Sequence, residues 1–167
     1  MTASYPYRIA TRGGDLTLIW RPGEADAPDE VAVDDHGQLL AFRDYETLRE
    51  AADRYGWELV REGEAALDLD AVRRWVERPE RGPVTTAPLL DAWNLLEDLS
   101  RSLKAGPPLP SQGPIHDSAY EKLFGEEEAW TDEETAAVRE LLRAGLDLWE
   151  QAVRASGTGG PSPRSSA

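Results

Sequence analysis

The chain has no cysteine among its 167 residues, which excludes disulfides, thiolate metal sites and cysteine nucleophiles together. Imidazole is scarce too, because His36 and His116 are the two histidines. Long apolar runs are missing. No stretch of about 18 apolar residues occurs, and the N-terminus MTASYPYRIATRGG has no hydrophobic segment of the kind a signal peptide needs. A soluble, cytoplasmic protein is the expectation. Lysine occurs at Lys104 and Lys122 alone, and arginine supplies the remaining positive charge. The 18 basic residues face 32 acidic ones, a net charge of −14 and a pI near 4.5. Such a surface repels nucleic acid and anionic membranes and attracts cations, so a basic protein is the expected class of partner. Solubility alone also favours an acidic surface.

The recognisable signatures of catalysis are missing as well. There is no G-x-G-x-x-G, P-loop, H-E-x-x-H or twelve-residue calcium loop, and Gly13-Gly14 and Gly159-Gly160 read as a turn and a tail. No serine stands in a strand-to-helix elbow. His36 beside Asp34 and Asp35, and His116 before Asp117, are better read as turn and cap residues than as catalytic pairs. With 32 acids, some pair always falls at a glycosidase-like spacing, so that pattern carries no information. No enzyme activity, metal or cofactor is expected.

What is present is a patterned chain of one-domain length. Tyr7–Arg12 and Leu16–Arg21, joined by Gly13-Gly14-Asp15, predict a β-hairpin. Val31–Asp35 and Leu39–Arg43 around His36-Gly37 predict a second strand pair. Asp44 is placed to cap a helix that ends at Gly56, Trp57–Glu62 predicts a fifth strand, and Asp68 caps a short helix ending before Pro79. In the second half, Thr85 or Thr86 with Pro88 opens a helix running to about Lys104. KAGPPLPSQGP is a proline-rich connection too poor in apolar residues to pack, and a short helix over Asp117–Phe124 follows it. Thr131-Asp132-Glu133-Glu134 forms a capping box for a last helix with Val138, Leu141, Leu142, Leu146, Trp149 and Val153 on one stripe. The pattern predicts an α+β domain over residues 1–155, a small antiparallel sheet of four or five strands against about five helices, with a disordered tail at 156–167.

Two features single out candidate binding residues. Glu24, Asp26, Asp29, Glu30, Asp34 and Asp35 occur with no Lys or Arg between positions 22 and 42, in a loop where acids have no helix to cap. A second run, Glu126–Glu128 with Asp132–Glu134, is largely explained by the helix dipole. In LLDAWNLLEDLSRSL, Leu89, Ala92, Trp93, Leu96, Leu99 and Leu103 form a buried stripe, while Asp91, Asn94, Asp98 and Arg101 share another face. Asp98 and Arg101 have the spacing of an ordinary exposed ion pair. Trp75, Trp93 and Trp149 read as core residues, and Trp130, between acids, reads as the tryptophan to expect at the surface.

The order AFRDYETLREAADRYGW (41–57), LDLDAVRRWV (67–76), LLDAWNLLEDLSRSL (89–103) after a strand-rich start resembles bacterial immunity proteins encoded beside polymorphic or contact-dependent toxins. The resemblance spans roughly positions 39 to 103. It implies an acidic protein that neutralises a basic toxin, often a nuclease, by stoichiometric complex formation. An accessory or scaffold subunit of a cytoplasmic complex is the alternative, and its partner need not be basic.

Overall fold

The computed structural model describes residues 3–60, 65–79, 86–104, 106, 108–123 and 129–156. The predicted hairpin is present: β1 (Ala3–Ala10) and β2 (Leu16–Arg21) pair antiparallel, with Tyr5 opposite Trp20 and Ile9 opposite Leu16. β3 (Glu30–Val31) and β4 (Ala41–Phe42) both pair with β2, antiparallel. The expected second hairpin is thus reduced to one bridge, Val33 to Leu39, and both of its arms spend their main pairing on β2. Asp34 closes the turn itself. Its carboxylate takes the N–H groups of His36 (2.7 Å) and Gln38 (3.0 Å), tightening the turn at Gly37.

Asp44 caps α1 (Tyr45–Tyr55) by accepting the Thr47 N–H at 2.7 Å, and Gly56 ends it in the left-handed conformation, φ 73°. The chain returns to β1 twice, as β5 (Glu58–Leu59) and β6 (Ala65–Asp68), both parallel to it. Among the described residues the fold is α+β with five helices, as its sequence indicates, but the sheet is mixed and has six strands. The parallel pairing follows from α1, since only a crossover of a dozen or more residues can return a chain in the same direction. Of the predicted strand Trp57–Glu62, the part beyond Val60 lies outside the described residues.

Asp68 ends β6 and caps α2 (Leu69–Glu77) through the Ala71 N–H, 3.1 Å. α3 (Thr86–Ser102), α4 (Pro114–Lys122) and α5 (Asp132–Ser156) complete the chain. The cap of α3 at Thr85 and the acids Glu126–Glu128 lie outside the described residues, as does the tail beyond Ser156.

Alternation along β2 sorts the helices. Leu16 and Leu18 join a large core with Trp75, Leu89, Trp93, Leu96, Leu142 and Trp149, while Ile19 joins a smaller one with Ala32, Phe42, Leu48 and Ala51. α1 therefore covers one face of the sheet and α2, α3 and α5 the other. α3 and α5 close on each other where Gly145 meets the Leu96 side chain, leaving no room for a Cβ. Arg139 ties α5 to the end of α2 by donating to the Val76 carbonyl at 2.6 Å.

Two expectations are corrected here. Trp130 is buried at 9% exposure, its indole N–H donates to the Ala119 carbonyl (3.0 Å), and its ring meets Trp75 edge-on. The acids around it in sequence concealed that α4 and α5 pack over it. The proline-rich connection also packs: Leu109 lies against the core, and Gln112 donates to Glu97 of α3 at 2.6 Å.

The capping box at Thr131 forms as expected, with the Glu134 N–H on the Thr131 hydroxyl (3.1 Å) and the Thr131 N–H on the Glu134 carboxylate (2.8 Å). Glu134 does more than cap. It is 5% exposed and also receives Lys122 (2.7 Å) and the Ser118 hydroxyl (2.6 Å) from α4. Burial pushes its pKa up, but the Lys122, Ser118 and Thr131 hydrogen bonds outweigh that and hold it down at about 2.

Candidate functional site

The polar face of α3 is solvent-accessible at Asp91, Asn94 and Arg101, with Asp98 more enclosed between them. It forms one wall of a groove of about 490 Å³, and β1, β2, the loop before β3 and α4 supply the rest. Strand geometry places Tyr7 and Trp20 here. Tyr7 alternates with buried Pro6 on β1, and Trp20 follows Leu16 and Leu18 on the face of β2 that α3 covers. Trp20 stacks on Tyr5 with ring centroids 5.6 Å apart, which fixes its plane. Opposite, Tyr120 of α4 donates its hydroxyl to the Asn94 carbonyl oxygen at 2.8 Å and packs edge-on against buried Trp93. The floor is Leu95, 2% exposed.

Four carboxylates, Asp29, Asp91, Glu97 and Asp98, line this groove against one guanidinium, that of Arg101. Asp98 is the most enclosed, its side chain 13% exposed, and it pairs with Arg101 three residues on. Burial pushes its pKa up to about 6, with the charges of Asp29 and Glu97 adding to the rise and Arg101 and a Trp20 hydrogen bond opposing it. Burial raises Asp91 as well. Tyr7 is pushed up to about 12 by burial and then by the charges of Asp91 and Asp98, so its phenol remains protonated at neutral pH. The groove is a place where negative charge is held with too little compensation.

Ser102 aligns the two sides. Its hydroxyl donates to the Asp98 carbonyl (2.7 Å) and accepts the Val31 N–H (2.9 Å), joining the end of α3 to β3 and bringing Asp29 to the groove. Arg101 adds a contact to the Asp29 carbonyl at 3.4 Å.

Of the residues singled out in the sequence, Asp91, Asn94, Asp98 and Asp29 therefore come together. The rest of the acidic loop does not join them. Glu24, Asp26, Glu30 and Asp35 are exposed and outside the groove lining, and Asp34 is committed to its turn. Asp29 also has a local duty, accepting the Gly23 N–H at 2.8 Å across the loop. Tyr7, Trp20 and Tyr120 were not legible as site residues. Tyr7 and Trp20 do fall on predicted strands, but a strand assignment does not say what the strand faces.

The histidines behave as the sequence suggests. His36 is exposed in its turn, and His116 closes the start of α4 by accepting the Gly113 N–H at 3.1 Å. A cavity of about 480 Å³ opens beside His36, lined by Lys104, Gln38, Gln151 and apolar side chains, and no hydroxyl or carboxylate of the described residues joins it. No group of three or more His, Asp or Glu side chains is placed to hold a metal ion among the described residues. None of the helices there is long and apolar enough to cross a membrane. In comparisons with known proteins, the chain matches no family model, no curated protein and no solved structure.

Proposed function

We propose that the protein is a non-catalytic inhibitor that neutralises a cationic protein toxin, docking it on the groove between α3, β1, β2 and α4. One observation carries the reading: four carboxylates and three aromatic side chains share a concave surface whose only cation among the described residues is Arg101. Asp98 and Asp91 are ionised there against the cost of burial, so a positively charged partner relieves an electrostatic cost already present in the free protein. Tyr7, Trp20 and Tyr120 are the residue types that anchor protein interfaces once water is excluded. A toxin that acts on nucleic acid carries a basic cleft for phosphates, and this groove is complementary to it in charge. The net charge of −14 favours fast, steered association. The resemblance to immunity proteins points the same way.

The test is to mix the protein with the basic toxin module encoded beside its gene. A single co-eluting species in size-exclusion chromatography and loss of toxin activity at a one-to-one ratio are expected. A toxin that remains free and fully active at micromolar concentrations overturns the proposal.

A further inference from the structure

We propose that Arg101 is a place-holder: its guanidinium occupies the position on Asp98 that an arginine side chain of the cationic partner takes on binding. This rests on the reading of the groove as a docking surface, and it names the chemistry of the group that enters. The enclosed partner of the pair is the acid, with the Asp98 side chain 13% exposed, while the Arg101 side chain lies across it at 45% exposed. Arg101 reaches out to Asp98 from its own helix and holds the Asp29 carbonyl by one contact of 3.4 Å, so the remaining guanidinium donors have no partner among the described residues. Only the acid is enclosed; the guanidinium lies on the solvent side of the pair, where an incoming cation can displace it.

The groove around it suits an incoming guanidinium better than an ammonium. Trp20 and Tyr7 supply aromatic side chains to the lining and Asp98 a carboxylate that a planar fork can meet with two donors, whereas a lysine presents a point charge. The rise of α3 sets Asp91 about 10 Å from Asp98, two helical turns away. Asp91 has no hydrogen bond or ion pair among the described residues, so the groove offers two carboxylate stations and Arg101 covers one. In the free protein Arg101 limits the cost of Asp98. In the complex a better enclosed guanidinium replaces it, and Asp91 meets a second cation of the same surface.

The experiment needs no toxin. N-acetyl-arginine amide is titrated into the labelled full chain, and the Trp20 indole N–H resonance is followed by NMR, with buried Trp93 and Trp149 as internal references. Arg101→Gln should bind this probe about fivefold more tightly than wild type, the equivalent of about 1 kcal/mol released from the internal pair. N-acetyl-citrulline amide, which has the same shape without the charge, should leave the Trp20 signal in place, and adding Asp98→Asn to Arg101→Gln should erase the gain. Arg101→Met, which keeps the aliphatic stem, repeats the measurement if the glutamine variant does not fold. An unchanged or weaker affinity in the Arg101 variants, or citrulline binding equal to arginine, overturns the proposal. A protein that neutralises its toxin yet shows no such gain disproves only the place-holder, and one that gains arginine affinity but inhibits no cationic toxin disproves only the function.

Discussion

Replacing Asp98 by asparagine should make the protein more stable, and only at neutral and alkaline pH. The side chain stands under the groove with its pKa lifted from 3.8 to about 6, chiefly by burial. A group whose pKa is raised by folding contributes most below its unfolded value, and that contribution is lost as pH rises through the folded one, here between about pH 4 and pH 6. Two pH units correspond to a ceiling of about 3 kcal/mol, and solvent reaching the open groove brings the expectation to about 1–2 kcal/mol. Asparagine mimics the neutral acid in shape and hydrogen bonding, so it removes this cost without opening a cavity. Urea unfolding, followed by tryptophan fluorescence, should show the variant's midpoint about 0.5–1 M higher at pH 8, taking a slope near 2 kcal/mol per M. At pH 4 the two curves should agree within about 0.5 kcal/mol, because both proteins then carry a neutral group at this position. The same substitution should weaken binding of a cationic partner. An asparagine variant no more stable than wild type at pH 8, or a gap that persists unchanged at pH 4, would show that Asp98 is not held at an electrostatic cost.

Three other perturbations test the surrounding framework. Lys122→Met strands the buried Glu134 carboxylate and should cost about 2–4 kcal/mol at pH 7. Because the Glu134 pKa is lowered from 4.5 to about 2, that difference between variant and wild type should shrink as pH falls from about 4.5 toward 2, which thermal melts across this range can follow. Gly145→Val places a branched side chain against Leu96 at the α3–α5 contact and should lower stability by about 1–3 kcal/mol in chemical denaturation, despite better helix propensity. Asp91→Lys in the groove should slow association with the toxin about tenfold at low salt, whereas Asp26→Lys on the exposed loop should slow it only about twofold; stopped-flow rates that rank the other way would place the interface on the loop.

The legible features of this chain are those written in neighbouring residues. Asp44, Asp68 and Thr131 each announce a helix because the capping contact is made within three positions, and the structure contains all three. The stripe Leu89, Trp93, Leu96, Leu99 announces the buried face of α3 because helical period is a local property. Trp130 shows the limit. Its sequence neighbours are acids, and nothing local reveals that its indole finds the Ala119 carbonyl on another helix. The acidic loop shows a related limit: charge density is readable, but whether a carboxylate is spent on a turn, as with Asp34, depends on the path of the backbone.

By itself, then, the sequence determined the α+β class, the helix caps, the core stripes, the acidic net charge, and the fact that Asp91, Asn94 and Asp98 share one helix face. Only the tertiary structure decided what that face confronts. The parallel return of β5 and β6 to β1 and the Ser102 link to β3 bring Tyr7, Trp20 and Asp29 across from α3, and α4 adds Tyr120. The physical reason is range. Periodicity and capping act within a few residues, whereas the desolvation that lifts Asp98 comes from groups far apart in the chain that meet only when the sheet and helices pack.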